Sequence, residues 1–310
     1  MFLLKRYSDE FKKKWDTFIK SSRNGLFFFE RNYIEYHSDR FTDHSLILFK
    51  GEEIVAVFPA SEKDGVITSH AGLTYGSLIT DFHLKTKNIL DIFEQITHYY
   101  KDNNCTEIIY KCIPSIYHKY PADEDLYALF RNNAQLIRRD ICSVIKLSNK
   151  IRFNETKRQH INKCIKKNII VTENEDFSNY WELLTEVLQK FEVKPVHTAA
   201  EIHLLKTRFP ASIRLFEAFD SEILLAGIVI FDFGQVAHTQ YMAASNEGRK
   251  MGALDFINHH LIEEVFSDKE YFSFGISTED RGRVLNEGLI QQKENMGGRG
   301  ITLDFYSITL

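Results

Sequence analysis

The stretch "VAHTQYMAASNEGRKMGALDFINHHL", Val236 to Leu261, decides how the chain is read. It opens as an apolar run of strand character, passes through a segment with two glycines and adjacent cations, and continues with helical apolar spacing. A strand followed by a glycine-bearing loop and a helix N-terminus is a place where backbone N–H groups can meet an anion. A tight turn before an ordinary capped helix is the other reading of the same residues.

Outward from this stretch the pattern repeats. Before it, "IRLFEAFDSEILLAGIVIFDFGQVAHTQYMAAS" reads as strand, turn, strand, turn, strand, and two helices precede that, the second opened by a capping box from Thr198 to Glu201. After it come a strand "YFSFGIS", a helix "RVLNEGLIQQKENMG" and a strand "ITLDFYSI". The first half has the same grammar. An amphipathic helix carries Phe11, Trp15 and Phe18, a second short helix is "RNYIEYHSDR", and "HSLILFKGEEIVAVFPASEKDGVITSHAGLTYGSLI" gives three strands. A helix with Ile89, Ile92, Phe93 and Ile96 on one face, the strand "CTEIIYKCI", a helix and the strand "ICSVIKL" complete it. "TSHAGLTYG" and "VAHTQYMAA" each place a histidine on the third strand. The expectation is two copies of one α/β unit, residues 1–150 and 151–310, with a boundary near 148–155 and a basic junction helix at 155–168 that opens with a capping box at Thr156 and Gln159.

The bulk properties set limits. A chain of 310 residues suits two domains of ordinary size. Its 44% hydrophobic and 26% charged residues are those of a globular protein, and a net charge of −4 does not announce a nucleic-acid binder. Four cysteines without CxxC spacing read as reduced, buried thiols. The twelve histidines are scattered, and no metal is expected. No apolar run reaches the ~20 residues that span a bilayer. A cytoplasmic protein, not integral to the membrane and without a DNA partner, is expected.

This order of elements matches the GNAT acyltransferase fold, and two copies in one chain resemble the FemAB-like (methicillin-resistance factor) aminoacyltransferases. The residues that carry the likeness are "GLTYGSLI", "RQHINKCIKKNIIV", "VAHTQYMAAS", "GALDFINHHLI", "YFSFGIST" and "LNEGLIQQKENMGG". The fold class so implied is α/β, two tandem GNAT-like units with mixed sheets. The implied activity moves an acyl or aminoacyl group onto an amine of a cell-envelope glycan or peptidoglycan precursor, as in bacterial surface-polysaccharide pathways. Acyl-CoA or aminoacyl-tRNA would be the co-substrate, because most GNAT proteins draw on the first and Fem proteins on the second. The partner would be a small molecule, a sugar-nucleotide or a lipid-linked precursor, and tRNA would be a further partner where the donor is aminoacyl-tRNA rather than acyl-CoA. A catalytically inactive GNAT-like scaffold in such a pathway is the alternative.

The resemblance places Lys293, in "QQKENMGG", near a reacting carbonyl, where a cation stabilises an oxyanion. Gln292 and Met296 stand where the family motif has aromatics. His238, on the strand that splays in a GNAT unit, or a water, would take the amine proton. His238 and Gln240 are expected on one face of that strand and Tyr241 on the other. Arg249 and Gly252 occupy the family's pyrophosphate-loop position, but Leu254 replaces its last small residue and Asp255, one residue later, adds negative charge near the same helix start. For the acceptor, the first unit offers His70, Tyr75, Lys111, Tyr117 and Arg139. Lys157 and Arg158 lead a helix with three further lysines that could meet tRNA, an acceptor pyrophosphate or an anionic membrane face. Lys194 and His197 precede a capped helix.

Overall fold

The computed structural model describes residues 2–190 and 192–310. The chain forms two compact units. The first is Met1–Asp140 with Asp280–Arg283 and Thr302–Leu310, and the second is Ile141–Glu279 with Val284–Ile301.

In chain order the first unit has β1 (Leu3–Arg6), α1 (Lys12–Ser21), α2 (Arg31–Ile34), β2 (Thr42–Asp43), β3 (Leu46–Lys50), β4 (Glu53–Phe58), β5 (Ser61–Lys63), β6 (Val66–Thr68), β7 (Ile79–Thr80), α3 (Thr86–Asp102), β8 (Glu107–Lys111) and α4 (Glu124–Arg131). β9 (Gln135–Lys146) begins in this unit and ends in the second. The expected helical spacing forms: Ile89, Ile92, Phe93, Ile96 and Tyr100 of α3 are all buried. They pack with Leu46, Phe58, Ile108 and Tyr110 in one core, each large side chain contributing roughly 2–3 kcal/mol before entropy is counted.

The expected third strand of this unit is broken in two. β5 and β6 form a hairpin whose second strand pairs in parallel with β8, whereas β7 pairs with β4. That strand breaks between β6 and β7, while Pro59 separates β4 from β5, where the Ala60 N–H is taken by the Ser45 hydroxyl at 3.0 Å. His70 is therefore not on a strand. It lies past β6 with φ +53°, in a loop closed so tightly that a Cβ on Gly76 would sit 1.8 Å from the Ser69 carbonyl oxygen.

The second unit continues with α5 (Glu155–Lys166), β10 (Ile170–Asn174), α6 (Ser178–Gln189), α7 (Ala199–Arg208), β11 (Ile213–Asp220), β12 (Ile223–Asp232), β13 (Val236–Ala244), α8 (Asn246–Met251), α9 (Ala253–His260), β14 (Tyr271–Ile276), β15 (Thr278–Glu279), β16 (Val284–Leu285) and α10 (Glu287–Asn295). β17 (Arg299–Thr309) follows, and its residues from Thr302 on lie in the first unit, where Phe305–Thr309 pair antiparallel to β8. The strand order is β10–β11–β12–β13–β14–β9, with β13 and β14 parallel and the other neighbours antiparallel. Phe216, Ile228, Ile230, Ile257, Leu261 and Phe272 build the core. The mixed α/β class expected from the sequence is observed.

Three local expectations are corrected. α5 is capped by Asn154, whose side chain accepts from Lys157 N, and not by Thr156 with Gln159. Asn at that position, two residues earlier, binds a first-turn donor as well as Thr does. The segment after β13 is not a loop. Ser245 caps the six-residue helix α8, which Gly252 ends with φ +80°. The third correction concerns β13 itself and shapes the site.

Candidate active site

On β12, Val229 and Phe231 alternate onto one face of the sheet. Their partners on β13 are Tyr241 and His238, while Ile230 pairs with Thr239. Gln240 is thus an extra residue, a bulge, and the side chains of His238 and Tyr241 emerge on the same face. Simple alternation, which would separate them, fails at this residue.

β13 pairs with β14 only from Val236–Tyr271 to His238–Ser273. Beyond that rung both strands continue without pairing to one another, so the parallel ladder opens at His238. β14 is irregular between Ser273 and Ile276, and Gly275 has φ +69°. A Cβ on Gly275 would lie 3.3 Å from His238 Cε1, so glycine lets the imidazole rest against the backbone. The Ser273 hydroxyl lies 3.1 Å from His238 Nδ1 and accepts from the Gly275 N–H at 3.3 Å.

α10 delivers Lys293 to the same opening. Asn286 caps that helix by accepting from Leu289 N, and two turns later the buried Lys293 Nζ donates to the carbonyls of Gly275 at 3.1 Å and Ile276 at 2.5 Å. An ammonium has three protons, and these bonds use two. Burial lowers the Lys293 pKa to about 8. Burial, and then the Lys293 charge, lower that of His238 to about 4. At neutral pH the pair is therefore an ammonium beside a neutral imidazole.

Further along the same face, Tyr241 and His197 are joined: the Tyr241 hydroxyl is 2.7 Å from His197 Nδ1 and accepts from the His197 N–H at 3.3 Å. The capping box Thr198–Glu201 forms as expected and fixes the chain just after His197. Trp181 meets the Tyr241 ring edge-on at 5.2 Å, and burial pushes the Tyr241 pKa up to about 12. Gln240 bonds Tyr241, and Lys194 is exposed. Tyr180 and Glu217 were not foreseen. The Tyr180 ring fills the space over Gly227, where a Cβ would come within 2.3 Å, and its buried hydroxyl has no partner among the described residues. Glu217, on β11 opposite Gly227 and held by Asn174 at 2.8 Å, has its pKa raised by burial. Only the strand register puts these residues on one face, and no local motif marks them.

The phosphate-loop position is filled from within the unit. Asp255, in the first turn of α9, receives Lys157 Nζ at 2.7 Å on one oxygen and lies 2.7 Å from His160 Nδ1 with the other. His160 also packs on Gly252, where a Cβ would be 2.3 Å from its own. Arg249 is exposed on α8, and Arg158 pairs with Glu155. In the first unit, the loop after β6 gathers the expected residues. Lys111 Nζ donates to the carbonyls of His70, at 2.6 Å, and Leu73, and Tyr75 donates to Tyr117 at 2.9 Å. Burial, then Arg138, lowers the Lys111 pKa to about 7, and burial takes His70 well below its usual range. Arg139 is held bidentate by Asp304 at 2.6 and 2.7 Å.

An opened parallel ladder after a three-strand meander, with a helix behind it, defines the GNAT class, and the second unit has it. Solved structures agree. FemX aligns with TM-score 0.70 over 99% of this chain and 97% of its own, at 11% identity. The C-terminal domain of a lysylphosphatidylglycerol synthetase from Agrobacterium fabrum gives 0.62 over 97% and 92%, at 10%. A tandem GNAT protein from the clavulanic acid pathway gives 0.51 over 100% and 98%, at 10%. No sequence-family model matches the chain, and no curated protein is similar to it in sequence. The chain has the tandem GNAT fold, in the form that FemX shares.

Proposed function

We propose that the chain is a FemAB-like N-acyltransferase that moves an acyl or aminoacyl group onto an amine of a cell-envelope precursor. The observation that carries this reading is Lys293, a buried ammonium with two protons on the carbonyls of Gly275 and Ile276, beside His238 where the ladder opens. The third proton is available to a substrate oxygen. The amine nitrogen attacks the acyl carbonyl carbon, and the carbonyl π pair moves to oxygen, where Lys293 stabilises it. The tetrahedral intermediate then expels the carrier's oxygen or sulfur, and the amine proton leaves to His238 or a water. A base with a pKa of about 4 holds that proton only briefly, so His238 would relay it to solvent.

For the donor, the phosphate-loop position is already occupied by Asp255 with Lys157 and His160, and His160 packs on Gly252, which leaves no room for a coenzyme A pyrophosphate there and favours aminoacyl-tRNA. For the acceptor, the likeness to a lysylphosphatidylglycerol synthetase domain supports a lipid-linked precursor as one choice beside a sugar-nucleotide. The same Asp255 arrangement favours a second reading, an inactive scaffold. Purified protein offered acyl-CoA and aminoacyl-tRNA pools with envelope precursors separates the two. Transfer that falls ~10²–10³-fold in kcat in Lys293→Met supports the enzyme. Transfer unaltered in that variant refutes the assignment of Lys293, and no transfer from any donor supports the scaffold.

A further inference from the structure

Within the first unit, three donor atoms of different chemistry converge. A ring nitrogen of His44, a carboxylate oxygen of Glu62 and Cys105 Sγ all lie within 4.8 Å of one another. They come from separate places: the entry to β3, the middle of β5, and the turn between α3 and β8. None belongs to the residues discussed for acyl transfer.

The backbone holds each donor in place. His44 N donates to Ala60 O at 2.9 Å, and its carbonyl accepts from Tyr100 OH at 2.8 Å. Cys105 N donates to Tyr100 O at 2.9 Å. His44 Nε2 lies 3.4 Å from the Tyr99 hydroxyl, the outer contact that orients a ligating imidazole, and this leaves Nδ1 to face Glu62 Oε2 at 2.6 Å. Two lone pairs that close require a positive centre between them. A proton serves the His–Glu pair but not the thiol, which among the described residues is directed to the Asn103 carbonyl at 3.9 Å. A metal ion serves all three. Neutral imidazole, carboxylate and thiolate carry two negative charges, which a divalent ion neutralises in a site where His44 and Cys105 are buried. Arg6, the cation beside this group, has a guanidinium N–H on the Asp43 carbonyl.

We propose that His44, Glu62 and Cys105 bind one divalent transition-metal ion. The N, O, S donor set and three protein ligands suit Zn²⁺, with water as the fourth ligand reaching it past the half-exposed Glu62. Binding releases the Cys105 proton to solvent and ties the β5–β6 hairpin to the α3–β8 turn. The ion is a clip in the first unit and takes no part in acyl transfer.

Untagged protein, stripped with chelator and dialysed, is titrated with CoCl₂ and then ZnCl₂ alone. The expected result is stoichiometric Co²⁺ with a near-ultraviolet thiolate-to-cobalt band, displaced by Zn²⁺. Cys105→Ser loses the band, His44→Gln weakens Zn²⁺ binding roughly tenfold or more, and Cys112→Ser keeps both. If Cys105→Ser fails to fold, X-ray absorption of the zinc-loaded wild type must show one sulfur neighbour. Absence of the band in the wild type, its persistence in folded Cys105→Ser, or a zinc shell without sulfur overturns the proposal.

Discussion

Lys293→Met separates the lysine's chemical role from its cost to the fold. In the folded protein the Lys293 pKa falls from the ordinary 10.5 to about 8, chiefly through burial. The unfolded chain therefore binds more protons than the folded one between these values, and stability rises with pH across that window. At about 1.4 kcal/mol per pH unit the gap corresponds to roughly 3 kcal/mol held against the wild type at pH 7. Of this, about 2 kcal/mol is recovered by pH 9.5. Methionine has no charge to desolvate, but it leaves the Gly275 and Ile276 carbonyls without their donor, a loss of ~1–3 kcal/mol that does not depend on pH in this range. The pH slope, rather than either absolute value, isolates the lysine. Urea unfolding of both proteins at pH 7 and pH 9.5 measures it. The wild type should gain about 2 kcal/mol relative to Lys293→Met between the two conditions. A difference that stays constant would mean that Lys293 is not held as a desolvated ammonium, and the oxyanion role would fall with it.

Four further outcomes follow from the same structure. His238, lowered to about 4 from 6.5, carries stability that is complete above pH 6.5 and is lost as pH falls through 4, so His238→Gln should remove roughly 3 kcal/mol of acid sensitivity in denaturant titrations. Asp255→Asn leaves the largely buried Lys157 ammonium without its carboxylate and should destabilise by about 3 kcal/mol, read as a lowered urea midpoint. Gly252→Ala meets both a positive φ and the His160 side chain at 2.3 Å and should lose ~2–4 kcal/mol, part of which His160→Gly restores. Tyr180→Phe removes a buried hydroxyl without a partner and should leave stability within about 1 kcal/mol or raise it, so a larger loss by calorimetry would reveal a missed partner.

The parts legible in the sequence were those governed by local periodicity. The stripe of α3 and the Thr198–Glu201 cap are set by residues three and four apart, and both form as read. Lys293 and His238 were found through the family likeness, and the fold brings them together. What the sequence did not reveal depends on register. The bulge at Gln240 exists because β12 pairs out of step there, which no alternation within β13 records. The parting of β4 from β5 at Pro59 is marked by one hydroxyl, Ser45, fifteen residues upstream of the Ala60 N–H from which it accepts. Asp255 was recognised as poor for phosphate, but its partners Lys157 and His160 lie nearly a hundred residues earlier.

The strand that completes the first unit is β17, whose residues Phe305–Thr309 pair with β8. During synthesis β8 therefore waits for its partner until the whole of the second unit has left the ribosome. The first unit cannot finish early, as an N-terminal domain usually does. A fragment ending near residue 140 would expose the β8 edge, with Tyr110 and Ile108 behind it, as a template for pairing with other chains. Proteolytic loss of residues 302–310 would damage the unit made first, not the one made last. Mutations in β17 should accordingly show themselves as aggregation of newly made chains before any effect on catalysis is seen.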